Sequence, residues 1–382
     1  MKSHPHIAIL KSRARNHGGL EKYASRIAAA FASRGSKVSI LTTGSENIPH
    51  NTPSPFISVY PCKTSRWPSS LRMEQFDRYA SEWIQKENPN LIFGMDRNRF
   101  QTHIRAGNGV HISYLKSRIL SEGRWKYWTC LLNPMHRKIL ELEKTAFEHP
   151  ELQKIFTNSH MVRGEILEYY NIDPRKVEVI HNGVEWEEMA PLFALQSQGK
   201  KEAIQKWQLP KDCFHFLFVG NGYFRKGLHI LLQALSQIKQ EDFHLSVVGK
   251  DNQIELFQAK AIQLGLKGKV HFFGPQEEMT PFYQLADALV IPSFYDPFAN
   301  VTIEALAMGL FIVSSKKNGG HEIINSENGI VIEDLLQIDA VTSALRSCLK
   351  ARKTFSRAQK IRDGVSNLDF SKQLNQLITA CE

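Results

Sequence analysis

Short β-rich runs alternate with amphipathic stretches along the whole chain, and this alternation limits the possible fold more than any other feature. HIAIL (6–10) precedes a helical pattern over residues 20–34, where Leu20, Tyr23, Ile27, Ala30 and Phe31 recur at helical spacing. KVSILTT and FISVY follow, then a helical pattern around 73–86, then NLIFGM, KIFTNS and VEVIHNGV. The polar stretch FALQSQGKKEA (193–203) breaks the rhythm and is the expected linker. The alternation then restarts with FHFLFVG, FHLSVVG, VHFFG, ALVIPS, FIVSS and GIVIE, separated by helical patterns around 228–238, 254–264, 279–285 and after Asn300. Two blocks of strand–helix alternation predict an α/β protein with two doubly wound, parallel-sheet domains. Its 382 residues suit two domains of about 150 to 200 residues each.

Bulk features exclude several classes. No internal repeat and no low-complexity tract is present, and no apolar run reaches the ~18 residues that would suggest a membrane span. The start, MKSHPHIAILKSRARNHGG, has an apolar run of only four residues before charges return, which reads as a first strand and not as a signal peptide. Cys62, Cys130, Cys213, Cys348 and Cys381 are odd in number and scattered, with no CxxC, so reduced thiols in a cytosolic protein are expected. The net charge of +10 reads either as surplus surface lysine or as attraction to nucleic acid, an anionic membrane surface or phosphorylated substrates. Residues 97–138 carry nine basic residues (Arg97, Arg99, Arg105, Lys116, Arg118, Arg124, Lys126, Arg137, Lys138) and one acid, Glu122. Phe100, Tyr114, Trp125, Tyr127 and Trp128 are interleaved with them. That mixture suits an anionic membrane surface, and no nucleic-acid-binding motif accompanies it.

Ligands of such folds bind outside the carboxyl ends of the strands, where helix N-termini point. Three junctions there have unusual residues. After the first strand, Gly18 and Gly19 permit close backbone approach and open a helix suited to phosphate, without the G-x-G-x-x-G of nicotinamide binders. In VGNGYFRKGLHIL, Arg225 and Lys226 lie between Gly222 and Gly227 before an amphipathic helix, a suitable diphosphate clamp. In SFYDPFANVTIEALAMG, Asp296 stands in a loop, Asn300 can cap the helix beginning near Val301, and Glu304 falls one turn into that helix. Each junction also has a plain structural reading, as turn, solvated charge or helix cap.

Arg225-Lys226, then Asp296 and Glu304 with seven residues between them, together with Gly18-Gly19, resemble the GT-B retaining glycosyltransferases of family 4 over almost the whole chain. PSFYDPFANVTIEALAMGLFIV is the most specific segment. The first acid of the family motif is usually Glu; here it is Asp296, one methylene shorter. RAGNGVHISYLKSR and HFLFVGNGYFRKGL look like the lipopolysaccharide core glucosyltransferases that add the first glucose to a heptose. The resemblance implies two Rossmann-like domains facing across a cleft. An acceptor-binding domain is expected over 1–190 and a nucleotide-sugar-binding domain over 191–360. A C-terminal helix in 361–382 is expected to cross back to the first domain.

The implied activity is retaining, metal-independent transfer of a hexose, with UDP-glucose as donor substrate and no cofactor. The implied acceptor is a lipid-linked glycan at the inner face of the bacterial cytoplasmic membrane, where the enzyme would sit peripherally. Arg225 and Lys226 would neutralise the leaving diphosphate, helped by N–H groups at Gly19 and at Phe298, Ala299, Asn300 and Val301. Glu304 would accept the ribose hydroxyls and Asp296 the hydroxyls of the donor sugar. Asn108 and His111 are alternative polar groups near the transferred sugar. No Asp-x-Asp occurs and no His or Cys cluster has metal-ligand spacing, so no metal is expected. The alternatives are a GT-B nucleotide-sugar epimerase, another donor such as GDP-mannose or UDP-GlcNAc, another acceptor, and a non-catalytic anion-binding protein.

Overall fold

Seven parallel strands form the sheet of the first unit: β1 (His6–Lys11), β2 (Lys37–Thr42), β3 (Ile57–Pro61), β4 (Leu91–Gly94), β5 (His103–Arg105), β6 (Lys154–Thr157) and β7 (Val177–Val179). Their order is β3-β2-β1-β4-β5-β6-β7. Six more form the second: β8 (Phe214–Val219), β9 (Phe243–Val248), β10 (Val270–Gly274), β11 (Ala288–Ile291), β12 (Phe311–Ser315) and β13 (Gly329–Ile332), in the order β10-β9-β8-β11-β12-β13. The computed structural model describes residues 4–12, 19–43, 55–65 and 67–382. Gly18 therefore lies outside the described residues, while Gly19 opens the helix Gly19–Ser33.

The apolar runs explain the strands. Every residue of β8 and of β9 is buried, as expected of central parallel strands covered on both faces, and Phe214 to Val219 align with Phe243 to Val248. In both sheets the chain reverses direction of growth once, between β1 and β4 and between β8 and β11. Those two gaps are the topological switch points, where loops diverge and leave room for a ligand.

The contact units divide the chain at Ile180/His181, before the expected boundary at residue 190, and Gln373–Glu382 belongs to the first unit. Lys116–Arg124 groups with the second unit. The helix Phe355–Asp363 stays with the second unit, so the return to the first begins later than residue 361. There, Leu377 and Ile378 are fully buried in the core with Ile27, Phe31, Ile40 and Phe93.

The expected linker is not one. Residues 193–203 lie in the helices Ala190–Ala194 and Gln196–Trp207. The second of these buries Gln196, Gly199, Ala203 and Ile204 on one face. Gly199 belongs there for packing, because a Cβ at that position would come within 1.9 Å of the Gln284 amide. Three helices between His111 and Phe147, and the three-residue β5, escape the sequence reading. Among the described residues no helix is long and apolar enough to cross a membrane. The five cysteines form no disulfide.

Candidate active site

The second unit places two of the singled-out segments side by side at its switch point. β8 runs into the loop Gly220–Gly227, and β11 runs into the loop Pro292–Ala299. Gly227, at φ +78°, sits so close to the second loop that a Cβ would lie 1.9 Å from the Pro292 carbonyl oxygen, so glycine alone fits. Phe294 N–H donates to the Arg225 carbonyl (2.8 Å) and fastens the loops together.

Within this frame Arg225, Lys226 and Asp296 form one cluster. Lys226 Nζ donates to Asp296 Oδ2 at 2.5 Å, and Arg225 Nη1 reaches the same oxygen at 3.4 Å while donating to the Tyr295 carbonyl at 2.9 Å. Lys226 and Asp296 are both buried, and the lysine stem lies against the Cα of Gly220. Burial works against the Asp296 charge, but Lys226 and then Arg225 outweigh it and hold the carboxyl below its usual range. Burial, reinforced by Arg225 and opposed by Asp296, lowers the pKa of Lys226. Two cations and one carboxylate leave a net charge of +1 at the mouth of the sheet, a favourable place for an anion.

The Asp296 loop is anchored by a residue the sequence reading passes over. Asn318 is fully buried; its Oδ1 accepts from Ala299 N–H and Gly320 N–H (3.1 Å each), and its Nδ2 donates to Ser314 Oγ (3.0 Å) and Thr302 Oγ1 (3.3 Å). Asp296 also accepts from Phe298 N–H at 3.2 Å. The expected cradle of N–H groups over 298–301 is thereby corrected. Those of Phe298 and Ala299 are taken up within the fold, by Asp296 and Asn318. Asn300 is also not the cap: it is the first helical residue of Asn300–Ala307, the cap position belongs to Ala299, and Asn300 Oδ1 accepts from Asn182 Nδ2 at 2.7 Å.

Glu304 is half-buried on this helix and takes a hydrogen bond from Tyr283 OH at 2.6 Å. Burial, then Glu304 itself, raises the Tyr283 phenol well above its usual pKa, so it acts as a donor. Asp251 steadies the other loop, accepting from Tyr223 N–H (2.6 Å) and Gln253 N–H (2.7 Å), and Asn221 accepts from Lys250 N–H (2.6 Å). Among the described residues no group of three His, Cys, Asp or Glu side chains gathers to hold a metal.

Asn108 and His111 belong to the first unit and do not share one environment. Asn108 is exposed at a small recess of about 20 Å³ that Asp96, Arg97, Gln101, Arg105 and Glu143 also line. His111 is buried, with its Nε2 3.0 Å from His136 Nδ1. Burial, then Arg97 and His136, push its pKa down to about 3, so the ring is neutral near pH 7.

Two family models match in tandem, and between them they span most of the chain: Glycosyltransferase Family 4 over residues 17–188 and Glycosyl transferases group 1 over residues 199–363. The chain belongs to the GT-B glycosyltransferases. Similar sequences include an uncharacterized glycosyltransferase of Methanocaldococcus jannaschii, 28% identical over 330 residues, or 82% of this chain and 80% of that one. The lipopolysaccharide glucosyltransferase WaaG of Escherichia coli is 23% identical over 341 residues, covering 87% of this chain and 86% of its own. In structure, a WaaG described as involved in lipopolysaccharide biosynthesis superposes with a TM-score of 0.78 at 19% identity, over 98% of this chain and 99% of that one. A sucrose-phosphate synthase of Thermosynechococcus elongatus gives 0.75 at 20% identity, over 98% of each chain. At those identities the structural likeness shows the fold alone.

In this glycosyltransferase the basic segment 97–138 is not one free patch. Arg97 pairs with Glu143, Arg99 with Glu74, Asp77 and Glu141, Arg118 with Glu122, and Lys138 with Glu74 and Glu141. Arg105 is buried and donates to the carbonyls of Thr157 and Ile180. The acids that neutralise these residues come mainly from outside the segment, which is why the local count of one acid misleads. The side chains of Arg124 and Lys126 lie outside the described residues. Besides the exposed Lys116 and Arg137, the segment presents apolar side chains: Trp125 (84% exposed), Trp128 (56%) and Leu132 (79%), at helical spacing on one face of Arg124–Leu132.

Proposed function

We propose that this glycosyltransferase moves a glucosyl residue from UDP-glucose to a hydroxyl of a lipopolysaccharide core or related envelope glycan, with retention of configuration and without a metal ion. The observation that carries the reading is the Arg225–Lys226–Asp296 cluster at the carboxyl ends of β8 and β11. A departing nucleoside diphosphate gains negative charge in the transition state, and fixed cations there lower the barrier. Asp296 holds the two cations in place and has carboxylate lone pairs suited to the hydroxyls of the donor sugar. Glu304, oriented by Tyr283, accepts the two ribose hydroxyls.

In front-face substitution the acceptor oxygen bonds to the anomeric carbon as the carbon–phosphate oxygen bond breaks, and the acceptor proton passes to the departing phosphate oxygen. A paired-carboxylate hydrolase needs a second acid across the sugar bond. Glu304 is committed to the ribose in this reading. The lipopolysaccharide names of WaaG of Escherichia coli and of LpsE of Rhizobium meliloti favour an envelope acceptor. The Anabaena protein HepE, a fold neighbour described in complex with UDP-glucose, is compatible with the donor. Trp125, Trp128 and Leu132 give the first unit a face that suits the headgroup level of an anionic membrane and a peripheral, inner-face location.

A donor panel tests the reading. UDP-, GDP- and ADP-sugars are compared by thermal shift, then incubated with a heptose-terminated, lipid-linked core oligosaccharide in the presence of EDTA. Stabilisation by UDP-glucose and an α-linked glucosyl product are expected. An inverted product would remove retention, loss of activity restored by magnesium would remove metal independence, and isomerised donor without acceptor would make the protein an epimerase.

A further inference from the structure

One buried carboxylate in the first unit has no part in the chemistry proposed above, yet three donors converge on it. Glu143, on the helix Pro134–Phe147, is 1% exposed. It accepts from Arg97 Nε at 2.7 Å, from Tyr170 OH at 2.7 Å and from the backbone N–H of His111 at 2.8 Å. A buried charge persists only where such partners hold it, and removing one partner leaves the others uncompensated. His111 is the first residue of the helix His111–Glu122, so its N–H has no acceptor within that helix, and a carboxylate there also meets the positive end of the helix dipole. Arg97 completes the arrangement from the other side, with Nη2 directed at the Gly109 carbonyl at 3.4 Å. Gly109 itself adopts φ +68°, so the turn is sharp and has few alternative backbones.

The ion pair thus holds the backbone of one short turn at two points, the Gly109 carbonyl and the His111 amide. Between β5 and that helix the turn carries Asn108, which is exposed at the recess, and the recess is lined by Arg97 and Glu143 as well. The His111 ring points to His136, so Asn108 is the polar side chain that the turn offers to a ligand.

We infer that Glu143, through Arg97, is the positioning residue of this turn, setting where Asn108 meets a bound sugar. The inference rests on the glycosyltransferase reading for its effect on turnover but not for its effect on the turn. In this role Glu143 acts on the Gly109–His111 backbone and not on the reacting atoms. The charge matters more than the shape, because glutamine can still accept from the His111 amide but no longer fixes the guanidinium that holds Gly109.

Glu143→Gln, Arg97→Gln and the double variant test this with two independent readouts. Hydrogen exchange is followed in a peptide spanning residues 107–113, and acceptor-dependent turnover is followed alongside UDP affinity. Each single variant is expected to speed exchange in that peptide by about tenfold while exchange in the second unit stays as in wild type. Turnover falls by about 100-fold, as for a misplacement near 1 Å, while UDP affinity is unchanged. The double variant is no worse than either single one, since both remove the same device. Unchanged exchange at 107–113, a uniform rise throughout the first unit, or additive losses in the double variant would each overturn the inference. If Glu143→Gln fails to fold, Arg97→Gln reads the same clamp from its other end. Should wild type transfer no sugar while the exchange pattern holds, the functional reading falls and the clamp stands.

Discussion

Replacing Lys226 by methionine removes an ammonium while keeping the stem that lies against Gly220. In the native site that ammonium meets Asp296 Oδ2 at 2.5 Å, and both side chains are buried. Removing one partner of a buried pair costs about 3 to 5 kcal/mol, chiefly because the other charge is left without compensation. Here Arg225 at 3.4 Å and the Phe298 N–H at 3.2 Å still reach the carboxylate, so the lower end, about 3 kcal/mol, is expected. Asp296→Asn leaves Lys226 buried beside Arg225 and costs about the same. The double variant buries no opposed charges and is expected to lose less than the sum, a coupling of about 2 to 3 kcal/mol. Turnover behaves differently. Loss of a preorganised group facing the leaving phosphate costs about 100- to 1,000-fold, and removing Asp296 as well restores none of it. Urea unfolding of the four purified proteins, with initial rates on the same samples, separates the two effects. Additive stability losses would show that the pair is not coupled, and recovery of turnover in the double variant would show that Lys226 serves only to neutralise Asp296.

Glu304→Gln and Tyr283→Phe should each weaken UDP binding measured by calorimetry, whereas Asp296→Asn should not, because it removes a negative charge from an anion site; equal losses in all three would contradict these assignments. Stability should fall as pH drops. Burial lowers the pKa of His229 to about 4, so from about pH 6.5 downward the unfolded chain takes up a proton that the folded one refuses until about pH 4. That group contributes up to about 1.4 kcal/mol per pH unit across this window, and His229→Leu should flatten the acid limb of urea midpoints by one proton. Trp125→Ser with Trp128→Ser should reduce binding to anionic vesicles while sparing UDP affinity; retained vesicle binding would place the membrane contact elsewhere.

The parallel sheets were legible because buried strands write themselves as unbroken apolar runs, as in Phe214–Val219 and Phe243–Val248. β5 was not, since His103–Arg105 is too short to show a period and carries an arginine whose partners are backbone carbonyls distant in sequence. The same reason hid the structure of the basic segment: charge pairing with Glu74, Asp77 and Glu143 is a tertiary fact. At the candidate site, Arg225, Lys226, Asp296 and Glu304 stood out by type and spacing. Asn318, Asp251, Tyr283 and Glu143 did not, because a single polar residue in a loop or helix gives no sign of what it will hold until the chain brings its partners together. Asn300 shows the converse, a good capping residue displaced by one position when Asn318 and Asp296 took over the N–H groups before it.

Residues 373–382 complete the core of a unit from which most of the second unit, His181–Lys372, separates them in sequence. During synthesis, domains ordinarily close in the order in which they emerge, at about 5 to 20 residues per second. In this chain the last segment of the first unit emerges after the last segment of the second. The first-made half must wait, with the apolar surface that Leu377 and Ile378 will cover still open, while nearly two hundred further residues, His181 to Lys372, are translated. The half made second is the one able to finish first.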